Sequence, residues 1–166
     1  MTDKNSLVIE PLDTTHDRTV FQSGVEALDN YLKKQAGQDV KRRVSRVFVA
    51  ANPYNPKKVI GYYTLSSLSI ELNLLPEKLA RKLPRHPVPA ALIGRLAVSR
   101  TAQGDGVGKM LLVNAVRRTL EVSDQIAIYA MVVDAVNDKA KAFYGHFGFK
   151  PLSGQRLFLP LRDISS

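Results

Sequence analysis

The sequence predicts a mixed α/β protein, on three observations. Short apolar runs of strand composition alternate with stretches of helical period. Two of those runs, "AALIGRLAV" (90–98) and "IAIYAMVV" (126–133), flank one long amphipathic stretch. A β-α-β crossover, and so a parallel strand pair, is expected between Ala90 and Val133. Finally, a glycine-rich turn, "RTAQGDGVGK", joins the first of these runs to the helix, and such turns aim successive backbone N–H groups at one point.

The elements follow in chain order. "SLVIEPL" has the alternation of a first strand. "FQSGVEALDNYLKKQA" (21–36) is expected as a helix, with Ser23 and Glu26 spaced as a capping box. Val25, Leu28 and Leu32 then recur on one face and should reach the core. "RVFVAA" and "VIGYYTLSSLSIEL" are strands around the proline- and asparagine-punctuated turn "NPYNPKK". "PEKLARKL" is a short helix with proline in its first position. "PRHPVP" is an extended linker, since each proline steers its predecessor away from helical geometry. "AALIGRLAV" is expected as one central strand, followed by the glycine turn and a helix over "VGKMLLVNAVRRTLEV". "IAIYAMVV", the helix "DKAKAFYGHFG" ended by Gly148, and the strands "FKPL" and "QRLFLPL" complete the order. No repeat or linker divides the chain, so residues 1–166 are expected to form a single domain.

Composition narrows the chemistry. There is no cysteine, which removes disulfides, thiolate metal sites and a cysteine nucleophile. His16, His86 and His146 are too scattered for a metal motif, so no metal is expected. No apolar stretch nears the roughly 18 residues that cross a bilayer, and "MTDKNSLVIE" lacks the form of a secretory leader. A cytoplasmic protein without membrane contact is expected. The formal charge of +9 favours a polyanionic partner over a role in solubility alone, because the cations are clustered. Lys33, Lys34, Lys41, Arg42, Arg43 and Arg46 form one group, and Arg81, Arg85 and Arg95 belong to a second.

The glycine turn excludes two common nucleotide loops. A G-x-G-x-x-G fingerprint begun at Gly104 would need a third glycine where Lys109 stands. A P-loop ending in Gly108 and Lys109 would need glycine at Gln103 and a hydroxyl at Met110. What fits is Q-x-x-G-x-G: Gln103, Gly106 and Gly108. After a strand and before a helix, that spacing suits a pyrophosphate, whereas glycines serving tight packing alone would have the same look.

"LAVSRTAQGDGVG" resembles the acetyl-CoA motif of the GNAT N-acetyltransferases, and "NDKAKAFYGHFGF" resembles that family's second signature. "FQSGVEALDNYLKKQA", "GYYTLSSLSIE" and "PRHPVPAALIGRLAV" resemble a narrower group, the GNAT toxins of bacterial toxin–antitoxin pairs. The resemblance implies a GNAT fold, a mixed central sheet with splayed parallel strands and flanking helices. It implies acetyl-CoA as cosubstrate and the α-amino group of aminoacyl-tRNA as acceptor, with translation blocked. A ribbon-helix-helix antitoxin and a homodimer are implied as partners. The alternative activity is acetylation of a small amine, a polyamine or aminoglycoside, which a chain this basic would repel unless its cleft is locally acidic.

On that resemblance, backbone groups of Leu96, Ala97 and Val98 pair with the pantetheine amides. N–H groups of Gly104, Asp105, Gly106, Val107, Gly108 and Lys109 take the pyrophosphate, and Gln103 braces the loop. Asn137 is either a further coenzyme contact or an ordinary N-cap. Tyr144 is the candidate general acid, because a phenol is protonated at neutral pH; its neighbours Ala140, Phe143 and Phe147 would equally make it a core aromatic. Glu71 and Asp134 are the carboxylates left as candidate bases. An α-amine hardly needs one: roughly 10–20% of it is neutral at pH 7, against about 0.04% of a lysine. Without cysteine, the acetyl group passes directly to the amine.

Overall fold

The computed structural model describes residues 7–84 and 87–164. It forms two compact units, one comprising the chain up to Leu65 with Arg95–Arg117, the other Ser66–Gly94 with the chain from Arg118 onward.

In the first unit, strands β1 (Val8–Pro11), β2 (Arg46–Ala51), the first half of β3 (Gly61–Ile70) and β5 (Leu96–Val98) lie in the order β1-β2-β3-β5, all antiparallel. The β2–β3 turn closes as its proline and asparagine content predicts. Tyr54 donates its N–H to the Asn52 side chain at 2.9 Å, and Asn55 N–H meets the Asn52 carbonyl at 2.8 Å. A helical segment runs through α1 (Glu26–Asn30), a wider π-helical turn (Tyr31–Gln35) and α2 (Ala36–Lys41). Leu28 and Leu32 reach the core with Phe21, Val47, Val49, Tyr62 and Ala97, each large apolar side chain stabilising by about 1.5–3 kcal/mol.

The expected capping box is absent. The helix starts at Glu26, its N-cap is Val25, and Gly24 turns the chain beforehand at φ 96°. Ser23 instead binds Asp29, one turn into the helix, giving both its N–H (2.9 Å) and its hydroxyl (2.6 Å) to that carboxylate. An ionised carboxylate accepts stronger hydrogen bonds than a neutral carbonyl, and Asp29 takes both Ser23 donors.

In the second unit the order is β3 (second half), β4 (Val88–Ile93), β6 (Ala130–Asp134), β8 (Arg156–Pro160) and β7 (Lys150–Ser153). β4 and β6 are parallel, Ala90 opposite Ala130 and Ile93 opposite Val133, which is the crossover expected from the sequence. A short helix, α3 (Glu77–Ala80), has Pro76 as its N-cap rather than inside it. Val88 and Pro89 of the expected linker belong to β4, while Arg85 and His86 lie outside the described residues. The strand expected from Ile126 begins only at Ala130, and Ile126 is 64% exposed.

The largest departure is in "AALIGRLAV", which is two strands. β4 ends at Ile93, and after Gly94 and Arg95 the chain resumes as β5. β4 lies between β3 and β6, whereas β5 pairs with β3 alone. Nine apolar-rich residues read as continuous because hydrophobicity does not register a change of strand partner. The helix after the glycine turn, α4 (Val107–Val122), and the last helix, α5 (Asp138–His146), have the expected bounds, the latter followed by Gly148 at φ 94°. Among the described residues no helix is long and apolar enough to cross a membrane.

Candidate active site

The first unit places a strand with an open edge next to the glycine turn. Thr64 N–H bonds the Arg95 carbonyl at 3.0 Å, and Ser99 N–H bonds the Ile60 carbonyl at 2.7 Å. Alternation along an antiparallel pair then directs the Ala97 groups to β3, and the Leu96 and Val98 groups to the other edge. That edge has no strand partner among the described residues. Of the three residues expected to pair with a pantetheine arm, the backbone therefore offers Leu96 and the Val98 N–H, with Ala97 spent on the sheet and the Val98 carbonyl taken by the Gln103 amide. Gly61 lets β3 come this close: a Cβ there would meet the Ala97 carbonyl and Leu111 at 3.0 Å.

At the Val98 end lies the turn. Gly104 and Gly106 have φ of 88° and 83°, the left-handed region that glycine enters without strain. Gln103 braces the turn as expected, in a specific way: its amide donates to the Val98 carbonyl at 2.9 Å and to the Ser23 carbonyl at 2.7 Å. Arg100 N–H also bonds the Gln22 carbonyl at 2.8 Å. The turn is thus tied to the segment before α1. Met110 is the first residue to close a helical bond, to the Gly106 carbonyl. The N–H groups of Val107, Gly108 and Lys109 precede any intrahelical acceptor, and with those of Gly104 and Gly106 they have no acceptor among the described residues. Asp105 N–H is partly used, on the Ala102 carbonyl at 3.3 Å. These donors and the positive end of a sixteen-residue helix suit a diphosphate.

Tyr144 belongs to the second unit. Its ring packs edge-on to Phe143 and Phe149, and the residue is 3% exposed. The core-aromatic reading accounts for the ring but not for its tip. The hydroxyl has no hydrogen-bond partner among the described residues, and no buried side-chain oxygen there lacks one, so the hydroxyl reaches the surface. Burial, with the Asp134 carboxylate adding to it, holds this phenol above the ordinary tyrosine range. It therefore keeps its proton throughout the physiological range. Asp134 is engaged by Arg156 at 2.7 and 3.3 Å, which leaves it poorly suited as a free base. Asn137 caps α5, accepting Ala140 N–H at 2.8 Å, which supports the N-cap reading.

The basic residues separate into distinct settings. Lys34, Lys41, Arg42, Arg43 and Arg46 are exposed, and Lys33 is half-buried. Arg46 opens β2 opposite Leu65, and Arg95 is bonded to Thr64, so Arg46 and Arg95 lie about two strand spacings apart, roughly 10 Å, at one end of the first unit's sheet. Arg42 and Arg43 lead into the same end. Arg81, in the second unit, is exposed and paired to Glu77 at 2.7 Å. Arg85 is outside the described residues. The Arg95 guanidinium lies over the Tyr31 ring, 3.7 Å from the centroid. The phenol of Tyr31 is pushed up to about 12 by burial and by its bond to Asp39, so the ring stays a neutral π face. Sequence reading missed one further feature, a cavity of about 290 Å³ lined by Gln22, Gly24, Glu26, Asp29, Lys33 and Arg100. Only tertiary folding brings residue 100 to residue 24.

Comparison with known proteins agrees with this geometry. Residues 43–151 match the model of the acetyltransferase (GNAT) domain. The tRNA-acetylating toxin of Mycobacterium tuberculosis is 39% identical over 149 residues, covering 89% of this chain and 87% of that protein. The solved structure of AtaT complexed with acetyl-methionyl-tRNAfMet is similar with a TM-score of 0.88 and 33% identity, over 94% of this chain and 95% of that one. A tyrosine-to-phenylalanine mutant of AtaT, bound to the C-terminus of the antitoxin AtaR and acetyl-CoA, is similar with a TM-score of 0.82 and 30% identity, over 95% and 94% of the two chains. With a strand edge and glycine turn suited to a coenzyme, and with relatives of this kind over nearly its whole length, the chain belongs to the GNAT family of acetyltransferases.

Proposed function

We propose that this acetyltransferase is a toxin that moves the acetyl group of acetyl-CoA to the α-amino group of aminoacyl-tRNA and so blocks translation. One observation carries the proposal. The open edge of β5 has phosphate-ready N–H groups at its Val98 end and a cluster of guanidinium groups at its Arg95 end. A diphosphate-bearing thioester lies along the strand with its pyrophosphate on Gly104 to Lys109, and a polyanionic acceptor approaches the opposite end. Residues 1–166 act as one acetyltransferase domain, in the cytoplasm, as a homodimer. An antitoxin restrains it, a partner for which the AtaT structure with AtaR gives support, and the type we assign to it is ribbon-helix-helix.

In the reaction the neutral amine attacks the thioester carbonyl, which the Val98 N–H polarises. The C–N bond forms and the C–S bond breaks. Tyr144 donates to the departing sulfur, and the proton released by the amine restores the phenol, so the net transfer is from nitrogen to sulfur. The raised pKa of Tyr144 fixes the pH dependence. Rate should climb with pH as the α-amine, of pKa about 7.7–8.0, loses its proton. It should then stay level to about pH 10, because the acid remains protonated there. A pH–rate profile that falls between pH 8 and 10 contradicts this role.

The basic end makes a separate prediction. Changing Arg42 and Arg43 together to glutamate should cut acetylation of charged tRNA at least about tenfold and leave acetyl-CoA affinity unchanged, since both side chains are exposed and remote in sequence from the turn. Thiol release measured with charged tRNA, spermidine and an aminoglycoside tests the activity itself. Release with charged tRNA alone is expected, and release with the free amines alone overturns the proposal.

A further inference from the structure

Arg95 differs from the other basic residues. It is half-buried, it makes no ion pair among the described residues, and it occupies the break between β4 and β5. A partly desolvated cation without a carboxylate is costly, and a fold retains one where a ligand supplies the anion. The structure invests several contacts in holding it. Tyr31 presents its ring to the guanidinium, its hydroxyl is fixed by Asp39 at 2.8 Å, and Asp39 is itself held by Gln35 at 3.2 Å. Tyr31 opens the π-helical turn, a conformation that regular helical bonding does not favour. Carbonyls around this turn are taken by side chains instead: Leu28 accepts from the Tyr62 hydroxyl at 2.6 Å, and Leu32 accepts from Arg18 at 3.1 Å. Tyr62 also stacks on Tyr31, with centroids 6.3 Å apart. The wide turn and its supports serve to set one aromatic face under one guanidinium.

We infer that Arg95, positioned by Tyr31, grips a phosphodiester at the 3′ end of the acceptor RNA and so selects an RNA-linked amine over a free one. The inference rests on the proposed tRNA activity and adds to it the residue that discriminates. The coenzyme's own diphosphate is at the Val98 end of β5, so Arg95, at the other end, is left for the acceptor's phosphate. A guanidinium in this place also repels polyamines, which are cations.

The test uses methionyl-tRNA and methionine methyl ester as acceptors, with Arg95→Gln, Arg95→Lys, Tyr31→Phe and Tyr31→Leu. Arg95→Gln should raise KM for methionyl-tRNA about tenfold or more at little cost in kcat, while leaving the methyl ester rate unchanged. The plot of log affinity for tRNA against log salt should become shallower by about 0.7, one single-stranded phosphate contact. Tyr31→Phe, which keeps the ring, should behave nearly as wild type, whereas Tyr31→Leu should reproduce part of the KM rise. Arg95→Lys should recover part of the salt slope. Unchanged slope and KM in Arg95→Gln overturn the inference, as does an equal loss with the methyl ester. The binding arm needs no turnover. A wild type that binds tRNA with the expected slope difference but does not acetylate it would strike the proposed activity and leave this contact standing.

Discussion

Tyr144→Phe should slow acetyl transfer at least tenfold, and up to about 10⁴-fold, with folding and acetyl-CoA affinity intact. The change removes one oxygen from a ring whose packing against Phe143 and Phe149 it leaves alone. That oxygen has no hydrogen-bond partner among the described residues, so its loss breaks no structural bond and the melting temperature should hardly move. A role in packing alone predicts an unchanged rate; a role as acid predicts a low rate in single-turnover transfer, where product release cannot mask the chemistry. An unchanged single-turnover rate would remove Tyr144 from the mechanism.

The second large effect is expected at the turn. Gly106→Glu should weaken acetyl-CoA binding by about a hundredfold or more. Gly106 has φ 83°, where an L side chain costs roughly 1–2 kcal/mol, and the new carboxylate would face the pyrophosphate. Gly104→Ala is the graded control: φ is 88°, but a Cβ there meets nothing within 4 Å, so only the backbone strain is added. Calorimetry should rank wild type, Gly104→Ala and Gly106→Glu in falling affinity. Equal affinity in wild type and Gly106→Glu would show that the coenzyme's phosphates bind elsewhere.

What the sequence disclosed was local in the chain. The turn, the helix from Val107 and the glycine at 148 each depend on residues within a few positions of one another, and each stands where expected. What it concealed depends on residues far apart. Ser23 forms a capping pattern with Glu26 in sequence, yet it binds Asp29 in the fold. Gln103 braces the turn by reaching Ser23, eighty residues back. Arg95 is one more cation of a basic group in the sequence, and only the approach of Tyr31 gives it a distinct setting. The division of 90–98 into two strands was invisible for a related reason: Gly94 and Arg95 interrupt an apolar run without changing its hydrophobicity enough to mark the loss of a partner strand. Asn137 could be read two ways from sequence, and its bond to Ala140 N–H supports the N-cap.

The most direct measurement is the fate of the acetyl group. Purified protein, isotopically labelled acetyl-CoA and charged tRNA are incubated together, the aminoacyl ester is released from the RNA, and the product is analysed by mass spectrometry. One labelled acetyl is expected on the α-nitrogen of the amino acid, dependent on acetyl-CoA and lost in Tyr144→Phe. Label found only on lysine side chains or free polyamines, or no label on the amino acid while acetyl-CoA is consumed, would contradict it.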